Sequence, residues 1–235
     1  MSLIHAIRRV VPSRTSADST SPQGLDASRA GELYTYDWKQ RRIAEGYGYI
    51  VTVGAFSTPI VGGGNGTIID LDQPECIINV EDGKVLVPLR FHVQTQQPLL
   101  ATDSDETEIL IAVDRTAKWV VDGTYTAETA FNLRTDNPNS FTGTVGSAFT
   151  ADMLATTGAD AVLGIELARS VNVGDVNGTP GFAAFNTKHE LLYEPINPPM
   201  IVGPAAIYVY WGGTVATSGF AQLAFLELPD SEISD

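Results

Sequence analysis

Residues 86–94 read Leu-Val-Pro-Leu-Arg-Phe-His-Val-Gln. Apolar and polar side chains alternate along this run. A period of two sends successive side chains to opposite faces of a β-strand. Val87, Leu89, Phe91 and Val93 are therefore expected to face a core, with Pro88, Arg90 and His92 on the other side. Pro88 has no amide hydrogen for a ladder, which predicts an edge position or a strand start.

Outward from this run, similar short stretches occupy residues 47–56, 66–69, 76–80, 108–113, 129–133, 161–167, 190–193, 206–211 and 220–228. Turn formers separate them: GGGNG at 62–66, EDG at 81–83, DNPN at 136–139, DVNGTPG at 175–181 and GG at 212–213. The last run, FAQLAFLEL, is nearly continuous and predicts a strand buried on both faces. Residues 148–158 fit one short helix. Residues 32–45 read two ways. Leu33, Tyr36 and Ile43 fit a helical face that Gly46 would stop, while Tyr34, Tyr36 and Trp38 alternate as in a strand. Ten short runs without sustained helical periodicity predict an all-β fold, a sandwich or jelly roll of about eight to ten strands.

Composition agrees. The chain has 235 residues, enough for one ordinary β domain with a substantial core, and 43% of them are hydrophobic. Gly 22 and Pro 13 suit many strands joined by turns. Cys76 is the only cysteine, so no disulfide forms within the chain, and Ile77 and Ile78 beside it predict an inert buried thiol. No run of 18 apolar residues spans a membrane, and no secretory signal is expected at the N-terminus. Asn65-Gly66-Thr67 and Asn177-Gly178-Thr179 match the glycosylation sequon but read as Asn-Gly turns.

Charge is split along the chain. Residues 1–30 carry Arg8, Arg9, Arg14 and Arg29 against Asp18 and Asp26, a net of +2. The remainder holds 10 Lys+Arg and 26 Asp+Glu, a net of −16. Residues 1–30 are therefore expected to form a flexible arm and 31–235 a single domain. In the arm, Leu3, Ile4, Ile7, Val10 and Val11 approach helical spacing before Pro12, a segment too short to be helical alone. Residues 13–31 are rich in Ser, Thr, Ala and Gly and read as a linker. The acidic balance of the domain argues against a nucleic-acid-binding surface on it.

Three carboxylate clusters are candidates for hard-cation ligands: Asp70, Asp72 and Glu75; Asp103, Asp105, Glu106 and Glu108; and Asp175, Asn177 and Thr179. Ca²⁺ takes six to eight oxygens, but none of these has the EF-hand spacing, and solvated turn acids are the simpler reading. A structural Ca²⁺ at Asp70, Asp72, Asp103 or Asp105 is kept as a candidate, and no other cofactor is expected. His5, His92 and His189 are far apart in sequence, and no GxSxG marks a nucleophile. No catalytic residue is assigned and no enzyme activity is expected. The GGGNG run lacks the Lys-Ser/Thr of a phosphate loop. Trp38, Trp119 and Trp211 could stack on sugars, although Trp211 in AIYVYW and Trp119 beside Val120 and Val121 read as packing residues.

A short basic arm at 1–30 and an acidic β domain at about 46–229 together resemble the single-jelly-roll capsid proteins of small icosahedral viruses or tailless phages. The resemblance implies two four-stranded sheets, with an arm running along the inner face of a shell. It implies a large homo-oligomer located in the virion and made in the host cytoplasm. Other virion proteins, the genome or an internal membrane would be further partners of the arm. Arg8, Arg9 and Arg14 would touch phosphates or a neighbouring subunit. Tyr34, Tyr36 and Trp38 would anchor subunit contacts. The loops at 57–66, 134–146 and 170–186 would sit at vertices or outside. The alternative is a carbohydrate- or receptor-binding module, such as a spike or lectin-like domain.

Overall fold

The computed structural model describes residues 37–62, 69, 71, 73–96, 106–115, 124–149, 164–173, 189–214 and 217–232. Contacts divide the chain into Met1–Arg41 and Arg42–Asp235. The arm at 1–30 and the short helix predicted over 148–158 lie outside the described residues, Ala148 and Phe149 excepted.

The fold is all-β, with one short helix, α1 (Trp38–Ala44), and thirteen strands among the described residues. These are β1 (Gly48–Val53), β2 (Ile60–Val61), β3 (Cys76–Val80), β4 (Lys84–Gln96), β5 (Glu106–Asp114), β6 (Thr126–Glu128) and β7 (Phe131–Asn132). Then follow β8 (Val145–Ser147), β9 (Ile165–Val173), β10 (His189–Tyr193), β11 (Ile201–Val202), β12 (Ala205–Gly213) and β13 (Ser218–Pro229). Nine of the ten expected runs meet a strand, and the tenth, 66–69, lies outside the described residues except for Ile69; the four further strands, β2, β6, β8 and β11, are only two or three residues long. Such short pieces carry no periodicity to read. One run also shifted: of 161–167, the strand holds only Ile165 to Leu167 among the described residues and continues to Val173, so residues 170–173 are ladder and not loop.

All pairing is antiparallel. One sheet has the order β10-β4-β13-β1-β7, with β11 beside β4 and β2 beside β13. The other has the order β6-β8-β3-β12-β5-β9. Both sheets feed one core: Val51, Phe91, Leu223 and Phe225 from the first, Ile77, Ile109, Val209 and Trp211 from the second. Each of these is fully buried, and each such side chain stabilises the fold by roughly 1.5–3 kcal/mol, more for Trp. This arrangement is compatible with a β-sandwich.

The run that opened the sequence reading is interrupted. Against β13, the register of β4 shifts between Arg90 and Pro88, leaving Leu89 as the extra residue of a β-bulge. Before the bulge, Leu86 faces the main core while Val85 and Val87 join Leu226 and Leu228 in a second cluster. After it, Phe91 and Val93 face the main core. Val87 and Leu89 therefore do not share a face with Phe91 and Val93, contrary to the alternation. The second cluster is covered by Ile43 and Tyr47. Pro88 falls in the interval between β11, which pairs at Val85 and Leu86, and β10, which pairs from Phe91 to Thr95. It is neither on an outer strand nor at a strand start; a gap in one ladder accommodates its missing donor.

The helical reading of 32–45 is correct from Trp38 onward. Gly46 ends α1 at φ +91, donating to the Ile43 carbonyl at 2.9 Å while Tyr47 donates to that of Arg42 at 3.0 Å. A Cβ at Gly46 would also overlap the Asn137 side chain. The last strand is buried on both faces only in its second half: Gln222 is exposed, whereas Phe225 to Leu228 are all buried. Of the long strands described, β12 is the one buried along its entire length. Trp211 reaches the opposite sheet through its indole N–H, which donates to the Ile60 carbonyl at 3.1 Å. Tyr210 donates to the Leu71 carbonyl at 2.9 Å.

Candidate functional site

Most residues singled out from the sequence fall outside the described residues: Arg8, Arg9, Arg14, Tyr34, Tyr36, Asp70, Asp72, Asp103, Asp105, Asp175, Asn177, Thr179, His5 and Trp119. Trp38 opens α1 and is 43% exposed. Glu75 is buried, where its carboxylate accepts the Trp211 amide at 2.7 Å. Glu108 pairs with Arg169, which also holds Glu166 at 2.7 Å. Among the described residues no three His, Cys, Asp or Glu side chains converge as metal ligands, and no helix is long and apolar enough to cross a membrane. Cys76 is fully buried, and burial followed by the Glu128 and Glu75 carboxylates pushes its thiol up, away from the reactive thiolate.

The two described histidines differ. His92 lies on the outer face of the first sheet, 2.9 Å from the Gln94 amide and 3.5 Å from the Glu190 carboxylate. His189 opens β10 and is buried. Its Nε2 is 2.8 Å from Ser170 Oγ on β9, and its Nδ1 is 3.2 Å from Thr107 Oγ1 on β5. The imidazole thus joins the edge of one sheet to two strands of the other. Hydroxyls donate as well as accept, so either neutral tautomer is satisfied. Burial holds its pKa below the usual 6.5. Ser170 with His189 has the spacing of a nucleophile and its base, but the third position holds a hydroxyl where a triad has an orienting carboxylate. Sequence separation hid this cluster: 62 residues lie between Thr107 and Ser170, and pairing alone brings them together.

Exposed apolar side chains mark the two ends of the domain. At one end, Gly54 (φ +67) turns the chain out of β1 into a tight hairpin. Ala55 and Thr58 exchange backbone hydrogen bonds of 3.1 and 3.0 Å around Phe56 and Ser57. The Gln96 amide at the end of β4 donates to the Phe56 carbonyl at 2.8 Å. Phe56 is 76% exposed at this braced tip, and Val61 nearby is 68% exposed. At the other end, Val113, Ile165, Leu167, Met200 and Val202 line a groove of about 490 Å³ that also includes Arg115. Met200 and Val202 are both more than half exposed. Val202 pairs with Val85 near the start of β4, whereas Phe56 is tied to its last residue. Thirteen extended residues separate the two features by on the order of 40 Å.

Comparison with known proteins found no matching family model, no matching curated protein and no matching solved structure.

Proposed function

We propose that this chain is a coat protein: a jelly-roll domain that packs against copies of itself to build a closed icosahedral shell. The observation that carries the reading is the set of large apolar side chains held exposed on the two-sheet domain, Phe56, Val61, Phe131, Ile196, Met200 and Val202 among them. Such side chains at opposite ends of one domain suit a subunit that makes several contacts at once. The jelly-roll winding is supported by strand order. Numbering the eight longest strands 1 to 8 along the chain, β1, β3, β4, β5, β9, β10, β12 and β13, one sheet reads 1-8-3-6 and the other 2-7-4-5. Two interleaved Greek keys give that order. Fold alone does not fix function, since jelly rolls also serve as lectins and enzymes.

In this reading the arm, with Arg8, Arg9 and Arg14, contacts neighbouring subunits or the particle interior, and Tyr34, Tyr36 and Trp38 anchor subunit contacts. The protein resides in the virion. Negative-stain electron microscopy of the full-length protein, beside a version lacking residues 1–30, tests it. Closed shells from the full chain, altered or lost on truncation, are the expected result. Small particles from both across salt and pH, with glycan-dependent quenching of tryptophan fluorescence, would replace it with the binding-module reading.

A further inference from the structure

We propose that two copies of this chain join edge to edge, with β9 of one running antiparallel to β9 of the other about a two-fold axis between Leu167 and Ala168. The inference rests on the coat-protein reading for the shell it helps to build, whereas the contact itself is argued from the strand. Among the described residues β9 (Ile165–Val173) ends the order of the second sheet. With nine residues it is the longest of the strands that end either order; β10, β6 and β7 have five, three and two. An edge strand offers a row of backbone donors and acceptors that a further strand can continue. The side chains of β9 fit an open edge, since none from Ile165 to Asn172 is buried. Ala168 and Ser170 pair with the fully buried Ile111 and Ile109 and share their inward face, yet both are only half-buried.

The outer face of the strand identifies the occupant as a second copy. There the Arg169 guanidinium holds the Glu166 carboxylate at 2.7 Å and also pairs with Glu108 on β5. The register against β5 shifts at Leu167, so positions 166 and 169 share a face although an odd number of residues apart. Charges on an exposed edge guard it against foreign strands. Here the guard is complementary to itself. Antiparallel partners keep a constant sum of residue numbers, so a two-fold between Leu167 and Ala168 sets Glu166 of each copy opposite Arg169 of the other. The same register sets Val171, 50% exposed, opposite Gly164, which has no side chain to oppose it. An in-register parallel pairing would oppose arginine to arginine, and an antiparallel one about Ser170 would set Val171 against Arg169. The contact is isologous, and an icosahedral shell contains two-fold axes that such a contact can occupy.

Charge reversal reads the register. Glu166→Lys sets like charges opposite each other at Arg169, and Arg169→Glu does so at Glu166. Full-length proteins are compared by analytical ultracentrifugation and electron microscopy over a range of concentrations. Each single reversal should weaken dimerisation by about tenfold or more, and the double reversal Glu166→Lys/Arg169→Glu should restore it to within about threefold of wild type. Both side chains are exposed, so all three variants should keep the wild-type circular dichroism spectrum. A nitroxide attached to Val171→Cys leaves both charges in place, and the buried Cys76 gives little background. Across the two-fold, residue 171 of one copy lies opposite Gly164 of the other, about seven residue steps from its own equivalent, so pulsed EPR should report a distance of about 25 Å. Dimers or particles indifferent to the reversals, lacking that distance, or weakened without rescue in the double variant overturn the contact and leave the coat reading standing. Dimers indifferent to reversal but lost without residues 1–30 overturn it in favour of the arm. Dimers that follow the charge pattern and never close into shells support the contact and remove the shell. A protein that stays monomeric at all concentrations overturns both.

Discussion

Acidification should loosen the seam between the two sheets through His189. This imidazole is buried and bonded to Ser170 and Thr107, and burial lowers its pKa. The unfolded chain titrates near 6.5 and the folded one lower. Between those values the unfolded state binds more protons, so stability falls as pH falls through this window. The slope reaches at most about 1.4 kcal/mol per pH unit for one proton. His189's contribution is fully present above 6.5 and lost as pH drops toward the folded pKa. At pH 7.5, His189→Gln breaks one or both hydrogen bonds and leaves hydroxyls underused, a cost of about 1–3 kcal/mol. Urea unfolding of both proteins at pH 7.5 and pH 5 isolates the effect, because carboxylate titrations cancel in the difference. The gap between wild type and His189→Gln should narrow at pH 5. Proton NMR of the His189 ring should show its midpoint below 6.5. A gap that stays constant or widens on acidification, or a midpoint at or above 6.5, refutes the account.

Other consequences are simpler to check. Phe225 is fully buried between the Tyr49 and Phe141 rings, with centroids 6.1 and 5.1 Å away; Phe225→Ala should cost about 3–5 kcal/mol and lower the melting temperature by roughly 6–20 °C in calorimetry. A shift under about 2 °C would contradict the core assignment. Cys76 in the folded protein should react with a thiol reagent at least about a thousandfold more slowly than in urea, since labelling needs a central strand to open; comparable rates would mean the thiol is accessible. Arg169 is 42% exposed in its pairs with Glu166 and Glu108, so Arg169→Ala should cost only about 0.2–1 kcal/mol, with the difference vanishing at high salt. A larger, salt-insensitive loss would give Arg169 a packing role.

The local sequence determined the strands long enough to show a pattern. Cys76–Val80 is found with the bounds read from its apolar run, and β4, β5, β10, β12 and β13 differ from theirs by at most two residues at either end. Gly46 stops the helix where a left-handed residue is needed. Burial of Cys76 and Trp211 was also legible, because each sits in an unbroken apolar stretch. Tertiary structure decided the rest. Nothing in LVPLRFHVQ announces that Leu89 is an extra residue, because a bulge is defined by the partner strand and not by the strand itself. The two- and three-residue strands exist only because a neighbour supplies the other half of the ladder. The same holds for the features that bear on function. His189 meets Thr107 and Ser170 across a sheet boundary. The groove is assembled from β5, β9 and β11, and the separation of Phe56 from it follows from the length of β4. Periodicity reports which side of its own strand a residue occupies; only packing determines what that side faces.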